Sequence, residues 1–242
     1  MIKNILKKLL RKVGFELKKI SIENLVLKLK SIDERELIEL ALSKKDNINV
    51  VVGAHDLISF DFLGEIMKKY NPKTILFEPR EESFKSLKNN ISQLNLSNSY
   101  PYQLLVHPSL SKSVMYSVKT SSLEIYADWA SGIASVNKKH LLQHIFEDDI
   151  EEITVNCISP DNWHSKLNIN EINFLQIDCE GFDFEILKAI NIPYHSPAVI
   201  KIEIANLRNS EKNELFYYLQ DLGYDCIYNG EDIIGFKLDR LL

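Results

Sequence analysis

Length, composition and charge exclude several classes of protein before any motif is considered. The 242 residues suffice for one sizeable α/β core, and 45% hydrophobic with 26% charged residues is ordinary for a globular chain. Three cysteines without CxxC spacing argue against both a disulfide framework and a cysteine zinc site. No apolar run is long enough to cross a bilayer and no secretory signal follows Met1, so the sequence predicts a cytoplasmic protein.

The first twenty residues are strongly basic. They hold seven Lys or Arg and one Glu, so a net charge of +6 precedes a remainder of -11. Their apolar residues recur at helical spacing, which predicts an amphipathic helix in an N-terminal helical extension over residues 1–45. One interpretation is that residues 1–20 lie on the anionic inner surface of a membrane, which their basic face would contact. The other is that their apolar face packs against the domain or against a second copy of the chain. Because the remainder is acidic, no nucleic-acid partner is expected.

From residue 48 onward strand-like and helix-like segments alternate, which predicts one α/β domain over residues 46–242. The predicted strands, each with the turn or loop that follows it, lie at 48–54, 74–79, 102–111, 172–181 and 198–205, and the predicted helices lie at 57–70, 84–94, 184–190 and 210–222. Asn229 and Gly230 separate two alternating apolar runs and predict a β-hairpin. Residues 112–152 fit this rhythm poorly and are predicted to be an insertion over the sheet edge.

Polar residues follow the predicted strands, where an open α/β sheet binds its ligands. With their neighbours, the residues in chain order are Gly53, Ala54, His55 and Asp56; Glu78, Pro79 and Arg80; His107, Pro108 and Ser109; Asp178, Glu180 and Gly181; and Glu203. Four of these five groups contain an acid. A phosphate site instead requires glycines, backbone amides and Lys or Arg. The strand ends therefore predict a site for a positively charged ligand.

The first strand end lacks the motifs of phosphate-bound nucleotides. No GxGxxG or GK[ST] motif occurs, but Glu78 ends the second predicted strand at a position where a carboxylate accepts ribose hydroxyls. A nucleoside that carries a positive charge and no pyrophosphate fits this pattern, and S-adenosylmethionine is such a ligand. The predicted cofactor-binding residues are Gly53, Ala54, His55, Asp56, Glu78, Pro79 and, on the adenine side, His107 and Ser109.

The segments "VVGAHD", "ILFEPREESFKSLKNNI", "LVHPSLS", "INFLQIDCEGFDFEILKAI" and "AVIKIE" together resemble the FkbM-family methyltransferases over about residues 48–205. The most specific segment is "QIDCEGFDFEILKAI", which is similar to the family's K-I-D-x-E-G-x-E-x-x-[IVL]-L-K-G. The resemblance implies a class I methyltransferase, with a Rossmann-like α/β sheet of about seven strands that ends in an antiparallel hairpin. It also implies S-adenosylmethionine-dependent O-methylation of a hydroxyl on a glycan or small-molecule acceptor.

Three positions depart from the family pattern. Val51 stands where the family has an Asp that binds the amino-acid end of the cofactor, Leu57 replaces a glycine, and Gln176 replaces a lysine. An alternative function follows from the first two departures, namely a methyltransferase-like binding or scaffold module with weakened catalysis.

Asp178 and Glu180 are the predicted catalytic residues. Residues two apart in an extended segment face the same side, so the two carboxylates can converge, with Asp178 as the base or acceptor-positioning group and Glu180 as the second choice. The structural alternative is that Glu180 caps the following helix and Asp178 binds loop amides. Glu203 either supports the acceptor site or pairs with Lys201.

Two features of the sequence suggest metal ligands, but no metal site is predicted. His140 and His144 have the spacing of zinc ligands but lack the HExxH glutamate and an evident third ligand, so a solvated helix face is expected. Asp178, Glu180 and Glu203 could hold a divalent cation, although a role as bases explains these carboxylates as well.

Overall fold

The computed structural model describes residues 33–44, 48–59, 62–126, 130 and 132–241. The strands are β1 Ile48–Val52, β2 Thr74–Phe77, β3 Ser99–Tyr102, β4 Leu105–Val106, β5 Lys112–Val118, β6 Ala134–Ser135, β7 Ile150–Ile158, β8 Ile172–Ile177, β9 Val199–Glu203, β10 Asp225–Tyr228 and β11 Asp232–Phe236. The α-helices are α1 Glu34–Leu42, α2 Leu63–Tyr70, α3 Glu81–Gln93, α4 Lys138–Leu141, α5 Trp163–Leu167, α6 Asp183–Ala189, α7 Ile192–His195, α8 Asn209–Asp221 and α9 Leu238–Leu241. The helix predicted over residues 1–20 lies outside the described residues.

A seven-stranded mixed sheet forms the centre of the protein, in the order β10-β11-β9-β8-β1-β2-β3. The pairs from β9 to β3 are parallel, whereas β11 runs antiparallel to both β9 and β10. The predicted C-terminal hairpin is thereby confirmed. The chain proceeds from β1 to β2 and β3 on one side and places β8 and β9 on the other, so the strand order reverses between β1 and β8. This reversal is the point at which such sheets bind ligands.

Both faces of this sheet are covered, which explains its apolar central strands. All five residues of β1 and all six of β8 are buried, as expected for parallel strands with helices on both sides. One core includes Val50 and Val52 of β1 with helix α6 residues such as Leu187, and the other includes Val51 with Leu37 of α1. The burial of β1 on both faces holds its carboxyl end rigidly at the site.

A second, four-stranded sheet lies between β3 and β8 in the sequence, in the order β4-β7-β5-β6. Its longest pairing joins β5 and β7 antiparallel, from Lys112 opposite Asn156 to Val118 opposite Ile150. Met115 and Val155 form a small core of their own with Leu105. The segment 112–152, predicted as an insertion, thus contributes β5, β6 and the start of β7 to this second sheet, and β7 continues to Ile158.

Two predicted element boundaries are wrong. Helix α2 begins at Leu63 and not at residue 57, because Leu57 has a left-handed φ of 75° that no helix accommodates. The third strand of the central sheet is Ser99–Tyr102, which lies before most of the predicted 102–111 segment. It is an edge strand, where Pro101 is tolerated because one side of the strand needs no partner.

Among the described residues, no helix has both the length and the apolar character that crossing a membrane requires.

Candidate active site

A cavity of about 520 Å³ opens at the carboxyl ends of β1, β2, β8 and β9. One wall comes from these strand ends, and the facing wall comes from the second sheet through residues such as Met115 and Ala134. This volume lies within the range of small-molecule sites. Eight of the ten predicted site residues line it: Gly53, Ala54, His55, Asp56, Glu78, Pro79, Asp178 and Glu180.

Gly53 allows the ends of β1 and β8 to approach each other closely. Its φ is +80°, and a Cβ atom on it would lie only 1.8 Å from the carbonyl oxygen of Asp178. The amides of Gly53 and Ala54 both donate to the carbonyl of Phe77, at 3.0 and 2.9 Å. The glycine therefore brings the backbones of neighbouring strand ends together and shapes the cavity without leaving its own amide free for a ligand.

The loop after Gly53 is held by its own side chains. The Asp56 carboxylate accepts from the amides of Ile58 and Ser59 at 3.0 and 2.9 Å and from the Ser59 hydroxyl, and the Asp56 carbonyl accepts from Asn90 Nδ2 at 2.8 Å. Burial alone would raise the pKa of Asp56, but these hydrogen bonds outweigh burial and the pKa is lowered. Asp56 therefore fixes the loop as an anion.

Leu57 has a backbone conformation that ordinarily favours glycine. Its φ of 75° is left-handed, which costs a residue with a side chain about 1–2 kcal/mol. The side chain is buried in the same core as Val51 and Leu63, and this burial offsets the strain.

Glu78 is buried at the end of β2 and faces the cavity. Its Oε2 accepts from the amide of His55 at 3.0 Å, and its Oε1 accepts from the amide of Arg80 at 2.8 Å. Burial raises the pKa of Glu78 to about 7, opposed by the bond from Arg80. Each carboxylate oxygen retains a second lone pair, so the group can accept two further hydrogen bonds from a ligand.

His107 and Ser109 are not among the residues that line this cavity, so their place on the adenine side stays a prediction. The His107 ring turns back on its own loop, where Nδ1 accepts from the amides of Ser109 and Leu110 at 3.2 and 3.1 Å. The ring also stacks on Phe182, with centroids 5.6 Å apart. Burial lowers the pKa of His107, in agreement with a neutral ring whose Nδ1 is an acceptor. Ser109 is exposed.

The loop after β8 carries Asp178 toward the cavity and Asp183 beneath it. Asp183 is fully buried, and its carboxylate accepts from the amides of Cys179 and Gly181 at 2.7 and 2.9 Å. The sequence offered Asp178 as a possible acceptor of hydrogen bonds from the loop amides, but Asp183 is the residue that accepts them. Asp178 remains on the cavity wall.

Three carboxylates converge at the cavity, with Asp178 and Glu203 on its wall. Oxygens of Asp178, Asp183 and Glu203 lie within 4.8 Å of one another. Burial followed by the neighbouring carboxylates raises the pKa of Glu203 to about 9 and that of Asp178 well above its usual range, and burial raises the pKa of Asp183 to about 7. The cluster therefore retains protons near neutral pH. The same oxygens are close enough to share a cation, which would displace those protons.

Glu180 is the most tightly held acid on the acceptor side of the cavity. Its Oε2 lies 3.2 Å from His140 Nε2 and accepts from Asn206 Nδ2 at 3.0 Å, and its carbonyl accepts from Ser135 Oγ at 2.9 Å. Its φ of 51° is left-handed, so Asp178 and Glu180 converge across a turn and not along an extended segment as predicted. His140 is buried, so its predicted position on a solvated face is also wrong.

Lys201 is the cation of the β9 wall. Its Nζ lies 2.8 Å from Glu34 Oε1 of α1 and 3.5 Å from Asp232 Oδ2 of β11. It also lies 5.5 Å from the ring centroid of Phe62. These contacts join the helix before the domain to the wall of the cavity, whereas the sequence suggested Glu203 as the partner of Lys201.

Sequence reasoning missed Asp183, His140 and Lys201 as parts of the site. A signal existed for Asp183, which occupies the third acidic position of the family segment quoted above. His140 belongs to a region without a recognised motif, and only the packing of α4 against the Glu180 turn reveals it.

Three solved methyltransferase structures are similar to this chain at low sequence identity. The FkbM methyltransferase of Methylobacillus flagellatus KT is 13% identical with a TM-score of 0.47, over 80% of this chain and 44% of that chain. Precorrin-6y C5,15-methyltransferase of Geobacter metallireducens GS-15 is 11% identical with a TM-score of 0.43, over 85% and 89%. Human methyltransferase 10 domain containing protein is 12% identical with a TM-score of 0.42, over 98% and 95%.

No curated protein matches the sequence significantly. The profile of the methyltransferase FkbM domain matches residues 52–226, which is well over half of the chain and contains every strand end that lines the cavity. The seven-stranded sheet with its antiparallel C-terminal strands is the architecture expected for that domain. The protein therefore belongs to the FkbM methyltransferase family.

Proposed function

We propose that the protein transfers a methyl group from S-adenosylmethionine to a hydroxyl of an uncharged glycan or small-molecule acceptor. Methyl transfer follows from the family, and the hydroxyl acceptor is our inference. The observation that carries the proposal is the shared cavity: the buried Glu78 carboxylate lies on its wall with Asp178 and Glu180.

The cofactor end of the cavity suits a nucleoside. The lone pairs that remain on Glu78 accept the two ribose hydroxyls. The close approach of the Gly53 and Asp178 backbones leaves space beyond the carboxyl end of β1 for the ligand. The acidic wall matches the positive charge of the cofactor. Bound there, S-adenosylmethionine supplies a methyl group that is activated by a positively charged sulfur.

The acceptor end holds the groups that act on a hydroxyl. Glu180 accepts a hydrogen bond from the acceptor and fixes its direction, because transfer requires the oxygen in line with the methyl group. Asp178, whose raised pKa the positive charge of a bound cofactor would lower, takes the hydroxyl proton in its ionised form. The second sheet forms the facing wall of the cavity through residues such as Met115 and Ala134.

The charge of the wall disfavours anionic acceptors. Glu180, Glu231 and Asp232 line the cavity beside Lys201, which already contacts two acids. These carboxylates would repel a phosphate group. The proposed acceptor therefore carries hydroxyls and no phosphate.

A binding module without catalysis is the alternative function. Val51 is buried and apolar where the family has an acid, which favours this alternative. However, Val51 and Gln176 are register partners across β1 and β8. At these two positions the family has Asp and Lys, whereas this chain has Val51 and Gln176. Both charges are absent together and neither is left buried alone, so the two substitutions count less against activity than two independent losses.

Calorimetry with S-adenosylmethionine tests the cofactor assignment. Glu78→Gln is expected to weaken binding at least about tenfold, since it removes the charge and one acceptor oxygen. Glu81→Gln is the matched control, because Glu81 is an exposed acid at the start of α3 outside the cavity wall. Equal affinity of a folded Glu78→Gln variant and the wild type would remove the ribose role.

Transfer of a labelled methyl group to a panel of acceptors tests the reaction. Neutral methyl glycosides are expected to be methylated, and the corresponding sugar phosphates are not. Binding of S-adenosylmethionine without transfer to any hydroxyl would favour the binding module instead.

A further inference from the structure

We propose that His140 is a positioning residue that holds the Glu180 carboxylate toward the acceptor. This inference rests on the proposed function, in which Glu180 orients the acceptor hydroxyl. Its basis is geometric: a buried imidazole on α4, within the second sheet region, has its Nε2 3.2 Å from Glu180 Oε2. His140 itself is not on the cavity wall, so it acts through Glu180.

The contact defines the tautomer of His140. An ionised carboxylate only accepts hydrogen bonds, so Nε2 must carry the proton and donate it. Asn206 donates to the same Oε2 from the opposite side of the turn, at 3.0 Å. Two donors on one oxygen fix the direction of the carboxylate, which leaves Oε1 to meet a ligand.

The backbone of Glu180 needs this support. A left-handed φ of 51° costs a non-glycine residue about 1–2 kcal/mol, and such strain persists where surrounding contacts enforce it. Ser135 of β6 donates to the Glu180 carbonyl at 2.9 Å, so β6 and α4 hold both the backbone and the side chain of this residue. The second sheet therefore completes the acceptor site.

Nitrogen NMR of the ¹⁵N-histidine-labelled protein tests the contact without an acceptor. The wild type is expected to show His140 as the Nε2–H tautomer, assigned by its loss in His140→Gln. Glu180→Gln is expected to produce a mixture of tautomers, because an amide can donate as well as accept. A mixture of tautomers in the wild type, or a tautomer that stays the same in Glu180→Gln, would overturn the proposal.

Kinetics test the positioning role. With an acceptor from the glycoside panel, His140→Leu is expected to lower kcat/KM about 10- to 100-fold while the calorimetric affinity for S-adenosylmethionine stays within twofold. His140→Gln, which restores a donor, is expected to recover most of the activity. His144→Leu is the matched control, since His144 is exposed and its ring lies 6.0 Å from that of His140.

The outcomes separate the two proposals. Full activity of His140→Leu, or no recovery by a folded His140→Gln, would overturn the role of His140. If the wild type binds the cofactor but methylates no acceptor, the proposed function fails, and the NMR result then decides the Glu180 contact by itself.

Discussion

Replacement of Gly53 by alanine tests how the site is built. The added Cβ would lie 1.8 Å from the Asp178 carbonyl oxygen, whereas real Cβ atoms essentially never approach closer than 3.0 Å. The ends of β1 and β8 must then separate by at least about 1 Å. This movement would weaken the 3.0 Å hydrogen bond from the Asp178 amide to the Val52 carbonyl and displace Asp178 from the cavity wall.

The expected cost combines two effects. A φ of +80° costs alanine about 1–2 kcal/mol, and a disrupted buried hydrogen bond costs about 1–3 kcal/mol more. Gly53→Ala should therefore lower the free energy of unfolding by about 2–5 kcal/mol. Gly223→Ala separates the two effects, because Gly223 has a φ of +81° with no neighbouring atom within 4 Å. It should show the backbone cost alone, about 1 kcal/mol.

Urea denaturation followed by circular dichroism measures both variants. A fall of the midpoint at constant slope reports the loss of stability. Equal losses in Gly53→Ala and Gly223→Ala would refute the close approach of β1 and β8 as the reason for the glycine.

Two further predictions concern the acid cluster and the loop. In Glu203→Gln the unfolding temperature should rise relative to the wild type as pH increases from 5 to 9. The reason is that folding raises the pKa of the Glu203 carboxyl from 4.5 to about 9. This carboxyl stabilises the wild type fully below pH 4.5, and its contribution to the free energy of unfolding falls by at most about 1.4 kcal/mol per pH unit up to pH 9. A pH-independent difference between the two melting curves would contradict the raised pKa. Leu57→Gly should lower the free energy of unfolding by about 2 kcal/mol in urea, because about 3–5 kcal/mol of buried side chain outweighs about 1–2 kcal/mol of relieved strain. A more stable variant would show that strain dominates at this position.

The local sequence determined much of the fold. The β-branched and apolar runs of β1 and β8 predict buried parallel strands, and Asn229-Gly230 predicts a hairpin turn, because each signal depends on neighbouring residues alone. The acids after β1, β2 and β8 could be assigned to one edge of the sheet, since parallel strands end together.

Only the tertiary structure decided how those acids are used. Asp183 binds the loop amides and leaves Asp178 to the cavity, and His140 reaches Glu180 from a segment forty residues earlier in the chain. The second sheet likewise depends on β5 pairing with β7, which lies more than thirty residues further along. Contacts of this kind arise from packing between distant segments, and no local periodicity records them.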